Sequence, residues 1–381
     1  MQKIKNKKYI FPIIIFGFGL RIYLSTTGQN ADVSAYEVVG KLVLEGKNVY
    51  AETARYNYAP VWFLFLGIAK FFADYFSNSL QALHIIVATV ISMADIGLFF
   101  IIRKKYGLIP ATIFFLNPIS IIISGFHSQF DNVAILIAWL AVIQLTKNIN
   151  SKKGLILLGL SLLVKHSFIF FTIWLFVHED NKKLYKTFLR RLASVVIPIS
   201  IFVISFLPFL SGGGWDGIWN NVINYQSFSN SPLWFFIAPI FVKENTTMTQ
   251  LFIGLMIFSS IILRKVSIEK KFLIYLIMLP LCASAMANQY LVYPLIPAIV
   301  MMNPFFLIYI VMTSLYLMID QNELNMSFLK FLIPDRLNPN IDMWRSYDWL
   351  LVSLFLGLLF VVWQKFERYK SSLSQNHTQK N

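Results

Sequence analysis

From residue 9 to residue 363 the chain alternates between long apolar runs and short clusters of Lys and Arg, and that alternation decides its solvent. An apolar run in lipid has no water to satisfy its peptide groups, so it closes its hydrogen bonds within itself as a helix. A run of ~20 residues spans a hydrocarbon core of ~30 Å. The fold class that follows is all-α, a polytopic integral membrane protein. Hydrophobic types make up 57% of the residues and charged types 13%, about half the ~25% charged fraction of a soluble domain. Together with a mean hydropathy of +0.63, this excludes a soluble protein.

The net charge of +15 raises nucleic-acid binding, but the positions of the charges argue against it. Lys3, Lys5, Lys7 and Lys8 precede the first run, and Arg103, Lys104 and Lys105 follow a later one. Further clusters are Lys147, Lys152 and Lys153; Lys182, Lys183, Lys186, Arg190 and Arg191; Arg264, Lys265, Lys270 and Lys271; and Lys365, Arg368 and Lys370. Basic residues between spans mark cytoplasmic loops, whereas a nucleic-acid partner calls for one continuous basic face. No nucleic-acid partner is expected; membrane lipids are. The single cysteine, Cys282, excludes an internal disulfide and a Cys-based metal site. The N-terminus is basic and then apolar with no small-residue cleavage site, so it reads as an uncleaved first span.

Placing the basic clusters inside yields a topology. Span one covers residues 9–24 and leads to a long polar segment, 25–59. Residues 61–76 are flanked by Pro60 and hold Lys70 and Asp74, so they read as an amphipathic helix on the outer surface; 82–102 is span two. Residues 108–124 and 130–146 follow. Residues 154–177 read as a hairpin that turns at Lys165-His166, because a single span would put the basic 182–191 loop outside. Then come 193–210, a long outer loop over 211–247, and 248–263, 272–287, 290–302, 305–319 and 349–363. This makes about twelve crossings with both termini cytoplasmic. Residues 1–363 form one transmembrane domain and 364–381 a polar cytoplasmic tail, without internal repeats.

The topology gathers polar residues on the outer side. The first loop carries Asp32, Tyr36, Glu37, Arg55, Tyr56, Asn57 and Tyr58; the turn after 124 carries His127, Ser128, Gln129 and Asp131; the hairpin adds Lys165 and His166. Trp215, Asp216, Tyr225 and Gln226 lie in the long loop, and Asn288, Gln289 and Tyr290 in the turn after 287. Polar side chains at a lipid boundary are costly unless they face protein or a wet cavity, so their convergence marks a candidate site.

Several ordered motifs carry a resemblance. They are Asp32-Val33-Ser34-Ala35-Tyr36, Gly46-Lys47-Asn48-Val49-Tyr50, Tyr56-Asn57-Tyr58-Ala59-Pro60, Ala94-Asp95-Ile96, Leu116-Asn117-Pro118, His127-Ser128-Gln129-Phe130-Asp131-Asn132 and Lys165-His166. Their order resembles that of the C-type (GT-C) glycosyltransferases, in particular the catalytic subunit of GPI mannosyltransferase I and the dolichyl-phosphate-glucose glucosyltransferases, over roughly the first half of the chain. The resemblance implies a membrane glycosyltransferase that moves a hexose, mannose favoured over glucose, from a polyprenyl-phosphate donor to a glycan or lipid acceptor on the non-cytoplasmic face of a cell or endoplasmic-reticulum membrane. It implies Asp32 as general base on the acceptor hydroxyl. A retained carboxylate can take that proton as the oxygen attacks the anomeric carbon, and a single displacement inverts the centre. Lys165, His166 and Arg55 are the expected donor-phosphate ligands, since charge-assisted bonds to phosphate are strong. His127, Gln129, Asp131, Tyr36, Tyr58 and Gln289 are expected to line the substrate pocket.

Two departures from the family stand out. The residue two before Asp32 is Asn30 where the mannosyltransferases have a second acid, which removes support for a bound divalent metal; no cofactor is expected to be required. The segment Asn288-Gln289-Tyr290 lacks the His/Glu pattern of the glucosyltransferases. Members of such families can need a small partner subunit, which the sequence leaves open. Asp32 has a second reading as the N-cap of the amphipathic segment 33–44. Lys165 can be read as snorkelling, and Asp95 as a hydrogen-bond partner within a span. A lipid-linked-sugar flippase and an envelope glycan polymerase or ligase are the alternative functions.

Overall fold

The computed structural model describes residues 7–179, 184–225, 245–283 and 286–378. Gln226 and the remainder of 226–244 in the long loop, along with 180–183 in a basic cluster, lie outside the described residues. The described residues are helical, with no strand among them. Four helical stretches are long and apolar enough to cross a membrane: Lys8–Thr27, Ser79–Tyr106, Arg191–Phe209 and Ser346–Gln364. A fifth is the bent pair Leu108–Leu116 and Pro118–Phe126, whose axes differ by 51°. The bend has a local cause. Pro118 disfavours helical backbone at the residue before it, and Asn117 takes an extended ψ of 134 while its side chain caps Ile119 N–H.

The helices that position the site are α1 (Lys7–Thr27), α2 (Ala31–Leu44), α3 (Pro60–Ala73), α4 (Ser79–Tyr106) and α5 (Leu108–Leu116). They continue with α6 (Asp131–Lys147), α7 (Lys152–Val164), α8 (Ile169–Phe176), α9 (Leu184–Ile204), α10 (Asn245–Ile262), α11 (Ile268–Cys282), α12 (Pro304–Ile319) and α13 (Pro339–Thr378). Helix α4 stops at Gly107, whose φ of 100 is open to glycine, and its last turn holds Arg103, Lys104 and Lys105 against the negative end of the helix dipole. Helix α3 buries Trp62, Phe63, Leu66 and Ala69 and leaves Leu64, Ile68, Phe71 and Phe72 exposed. It is therefore two-faced, with both faces apolar.

Side-chain pairings give the directions of the helices. Helices α4 and α6 run side by side in the same sense: Asp95 meets Asn132, Gly97 meets Leu136 and Tyr106 meets Trp139. Helix α7 returns, with Gly154 against Leu145 and Lys165 against Asp131. The chain then reverses: Ser167 O accepts from Tyr275, while further on Trp174 O accepts from Lys271 at 3.1 Å. The turn expected at Lys165-His166 is thus present. Its arms are 13 and 8 residues, or ~20 and ~12 Å at ~1.5 Å per residue, and α9 packs along both through Ile201 on Gly159 and Phe188 by Phe176.

The expected inner clusters meet at one end. Glu269 pairs with Lys105 and accepts from Tyr106, and Glu179 pairs with Arg264 at 3.2 Å. At the other end Asn48 donates to Phe209 O and Ser211 O, joining the first loop to the long one.

Inside the bundle a buried charge ties three segments together. Arg21 of α1 donates to Asp95 Oδ2 of α4 at 2.7 Å, to Gly17 O at 2.9 Å and to Ser120 Oγ at 2.7 Å. Asn132 completes Asp95 with a bond of 2.6 Å to Oδ1. Both charged residues are fully buried. Removing one partner leaves the other unpaired in an apolar medium, at a cost of about 3–5 kcal/mol, whereas replacing both by apolar residues can be neutral. Arg21→Ala and Asp95→Ala are each expected to lower resistance to detergent-induced unfolding by that amount, and the pair Arg21→Met with Asp95→Leu to recover most of it. Equal losses in the single and double variants would contradict a paired role.

Candidate functional site

The site begins at the first turn of α2. Asn30 is the N-cap: its Oδ1 accepts from Asp32 N–H at 3.1 Å. The capping reading of Asp32 is thereby corrected, because Asn30 fills that place and the Asp32 carboxylate is not used as the cap. Three donors converge on Asp32 Oδ2. Gln129 Nε2 lies at 2.6 Å, His127 Nε2 at 3.1 Å and Asn30 Nδ2 at 3.5 Å.

His127 and Gln129 both face Asp32 because the backbone before and between them is irregular. Residues Ile122–Phe126 form a π-turn, a feature common at functional sites, and His127 N–H closes back on Ile122 O at 2.9 Å. Gly125 in that turn lies where a Cβ would stand 2.7 Å from Arg21 O, so α1 approaches the turn at backbone distance. Ser128 has φ 51, in the left-handed region, and its carbonyl accepts from Tyr36 at 3.3 Å.

Lys165 supplies the second half of the site. It interrupts the hairpin in an extended conformation, and its Nζ donates to both carboxylate oxygens of Asp131 at 2.7 and 2.8 Å. The rings of Tyr58, Phe130 and Tyr290 surround the ammonium at 5.3, 5.4 and 5.4 Å, within cation–π range. Tyr58 is set by Tyr50, which donates to Tyr58 O at 2.8 Å, and Phe130 stacks on Trp62 at 4.2 Å.

A third group reaches the site from far along the chain. Glu323 Oε1 lies 3.1 Å from His127 Nδ1. Asn288 donates to Glu323 Oε1 and to Asp320 Oδ2, each at 2.9 Å. Its own Oδ1 accepts from Tyr316 at 3.1 Å and from Tyr347.

The electrostatics follow from this geometry. Burial opposes a charged Asp32, but His127, Lys165 and Gln129 outweigh it and hold the carboxyl below the ordinary carboxylate range. Burial also opposes a charged His127, yet the flanking carboxylates Glu323 and Asp32 raise it to about 10, so the ring is an imidazolium at neutral pH. The Asp32 side chain is 44% exposed, against 2% for Glu323 and 0% for Asp131. Asp32 is the carboxylate of this cluster that an incoming molecule meets.

Of the residues expected at the site, Asp32, His127, Gln129, Asp131, Lys165, Tyr36 and Tyr58 come together. His166 stands at the wall, its ring 6.4 Å from Tyr58 and 6.2 Å from Phe202. Arg55 is exposed beside Thr53, to which its N–H donates, and is not among the side chains touching Asp32 or Lys165. The Gln289 side chain makes no hydrogen bond among the described residues; its neighbours Asn288 and Tyr290 make the contacts instead. Sequence reasoning missed Glu323. The signal was the run Asp320-Gln321-Asn322-Glu323 following an apolar run, in a chain with 18 acidic residues against 33 basic ones. Among the described residues no group of three or more His, Cys, Asp or Glu side chains is placed to hold a metal ion. Comparison of the chain with family models, curated proteins and solved structures returned no match.

Ser128 offers a test of how the site is aimed. A β-branched residue at this φ is strained by about 1–3 kcal/mol, whereas glycine accepts it freely. Ser128→Val is expected to lower stability by that amount and Ser128→Gly to stay within about 1 kcal/mol of the wild type, as read by thermal unfolding in detergent. Equal effects would contradict the left-handed turn.

Proposed function

We propose that the chain is a membrane glycosyltransferase of the C type, moving a hexose from a polyprenyl-phosphate donor to a glycan or lipid acceptor on the non-cytoplasmic face. The observation that carries this reading is a half-exposed carboxylate, Asp32, 3.1 Å from the buried His127 ring, in a cluster that also holds the buried Lys165–Asp131 pair. A general base for the acceptor proton and cations for the departing phosphate suit such a transfer.

In the proposed reaction the acceptor oxygen attacks the anomeric carbon and its proton passes to Asp32. The bond from that carbon to the phosphate oxygen breaks, and the electron pair leaves with the polyprenyl phosphate. Lys165 has three donors, of which Asp131 takes two, so one remains for a phosphate oxygen; His127 is the second cation. Arg55 is exposed and touches neither Asp32 nor Lys165, and the proposed step assigns it no role. Tyr36, Tyr58 and Gln129 form the wall. Mannose rather than glucose rests on the resemblance of the motifs, and a small partner subunit is compatible with it.

The proposed topology has about twelve crossings and cytoplasmic termini. Its supports are the meeting of the basic 103–105 and 264–271 segments at Glu269 and Lys105 and the gathering of Asp32, His127 and Glu323 in other loops. The exposed apolar stripe of α3 suits a helix at the membrane interface.

Purified protein given polyprenyl-phosphate mannose or glucose, with a pool of glycolipid acceptors in one detergent micelle, is expected to transfer sugar from one of them. Transport has no meaning in that format, so transfer separates the enzyme from a flippase. Asp32→Asn is expected to reduce transfer by about 10²–10⁴-fold while eluting as the wild type does in gel filtration. Activity near wild type in that variant would remove Asp32 as the base.

A further inference from the structure

Glu323 is buried against the His127 ring, on the edge opposite Asp32. It sits just beyond α12, after a turn in which its N–H donates to Asp320 O at 3.0 Å. Asn288, from the segment after α11, holds it by the 2.9 Å bond to Oε1. Tyr316 of α12 and Tyr347 of α13 in turn hold the Asn288 carbonyl. Three separate segments are therefore spent on fixing one carboxylate, and the atom it presents is 3.1 Å from His127 Nδ1.

We propose that Glu323 is a positioning residue, clamping the His127 ring so that Nε2 faces Asp32 while sugar is transferred. The proposal rests on the reading of Asp32 as the base. An imidazole hydrogen-bonded at one nitrogen is oriented by what holds the other. With Asp32 alone, the ring can turn about its side-chain bonds and lose its alignment; the Glu323 carboxylate, at ion-pair distance from Nδ1, restrains the other edge of the ring.

The charges around His127 act in both directions, and the carboxylates prevail. Asp32 of α2 and Glu323 favour the cation, with Asp320 behind Glu323. His84 of α4 opposes it through like charge when protonated. Lys165 also faces this cluster, and Asp131 pairs with it. Gln129 is uncharged and bonds Asp32 rather than the ring. Burial lowers His127, and Glu323 is the first of the groups that raise it. The sign follows: the imidazolium persists as pH rises until about 10, and loss of Glu323 brings its deprotonation to lower pH. An opposite charge at this range is worth about 1–3 pH units.

The test uses full-length protein with ¹³C-labelled histidine. The chain has five histidines, so the His127 signal is assigned by its loss in His127→Gln. Its titration is followed in the wild type, Glu323→Gln and Glu323→Asp, and the pH profile of sugar transfer is recorded for the same proteins. The clamp predicts that Glu323→Gln lowers the His127 midpoint by about 1–3 units, that the alkaline fall in transfer moves by the same amount, and that Glu323→Asp restores part of both. An unmoved midpoint overturns the clamp. A moved midpoint with an unmoved transfer profile overturns its role in the reaction. Absence of transfer in the wild type counts against the enzyme reading and leaves the midpoint to decide the clamp. Should Glu323→Gln fail to fold, Asn288→Ala, which releases Glu323 Oε1, takes its place: a His127 midpoint identical to wild type overturns the proposal.

Discussion

Asp131 and Asn132, the first two residues of α6, face two buried charges at once, and the rest of the structure is arranged around that turn. Asn132 completes the Arg21–Asp95 pair inside the bundle. Asp131 neutralises Lys165 at the hairpin apex. Unpaired charge in an apolar interior is too costly to tolerate, so the two pairs fix α1, α4, α6 and the hairpin relative to one another. The Ile122–Phe126 turn lies between the broken span and α6, and it is held by Arg21 on one side and by the start of α6 on the other. His127 and Gln129 inherit their positions from this framework.

This has a consequence for the chemistry. Asp131 and Glu323 are both carboxylates at the site, but each is spoken for by a cation. Glu37, the other acid near Asp32 in sequence, stands 3.9 Å from Lys70, which also pairs with Asp74. Asp32 alone among these combines proximity to the cations with substantial exposure. A retaining mechanism calls for a second carboxylate as nucleophile, and these pairings leave that role unfilled.

The sequence was informative where bilayer physics is strict. Apolar runs and basic clusters show an all-helical membrane chain because lipid allows so few alternatives. The reversal at Lys165-His166 was expected because a straight span would put the basic 182–191 loop on the outer side, against the positive-inside rule. Details set by long-range packing were not legible. Asn30 and Asp32 are both good capping residues, and only the fold decides that Asn30 takes the cap. Gln289 was expected at the site, but the tight helical turn Asn288–Val292 presents its two neighbours instead. Asp95 could be read as a hydrogen-bond partner in a span, while its partner Arg21, 74 residues earlier, could not be named. The number of crossings is also harder to read than the class, because helices such as α7, α8 and α12 are shorter than a full span.

The central claim is that Asp32 acts as a lone carboxylate base in a single displacement at the anomeric carbon. The configuration of the transferred sugar tests it most directly, measured on the product by proton NMR from the anomeric coupling and compared with the donor. Inversion is the predicted result. Retention would require a second nucleophile at the site and would contradict the assignment of Asp131 and Glu323 to their cations.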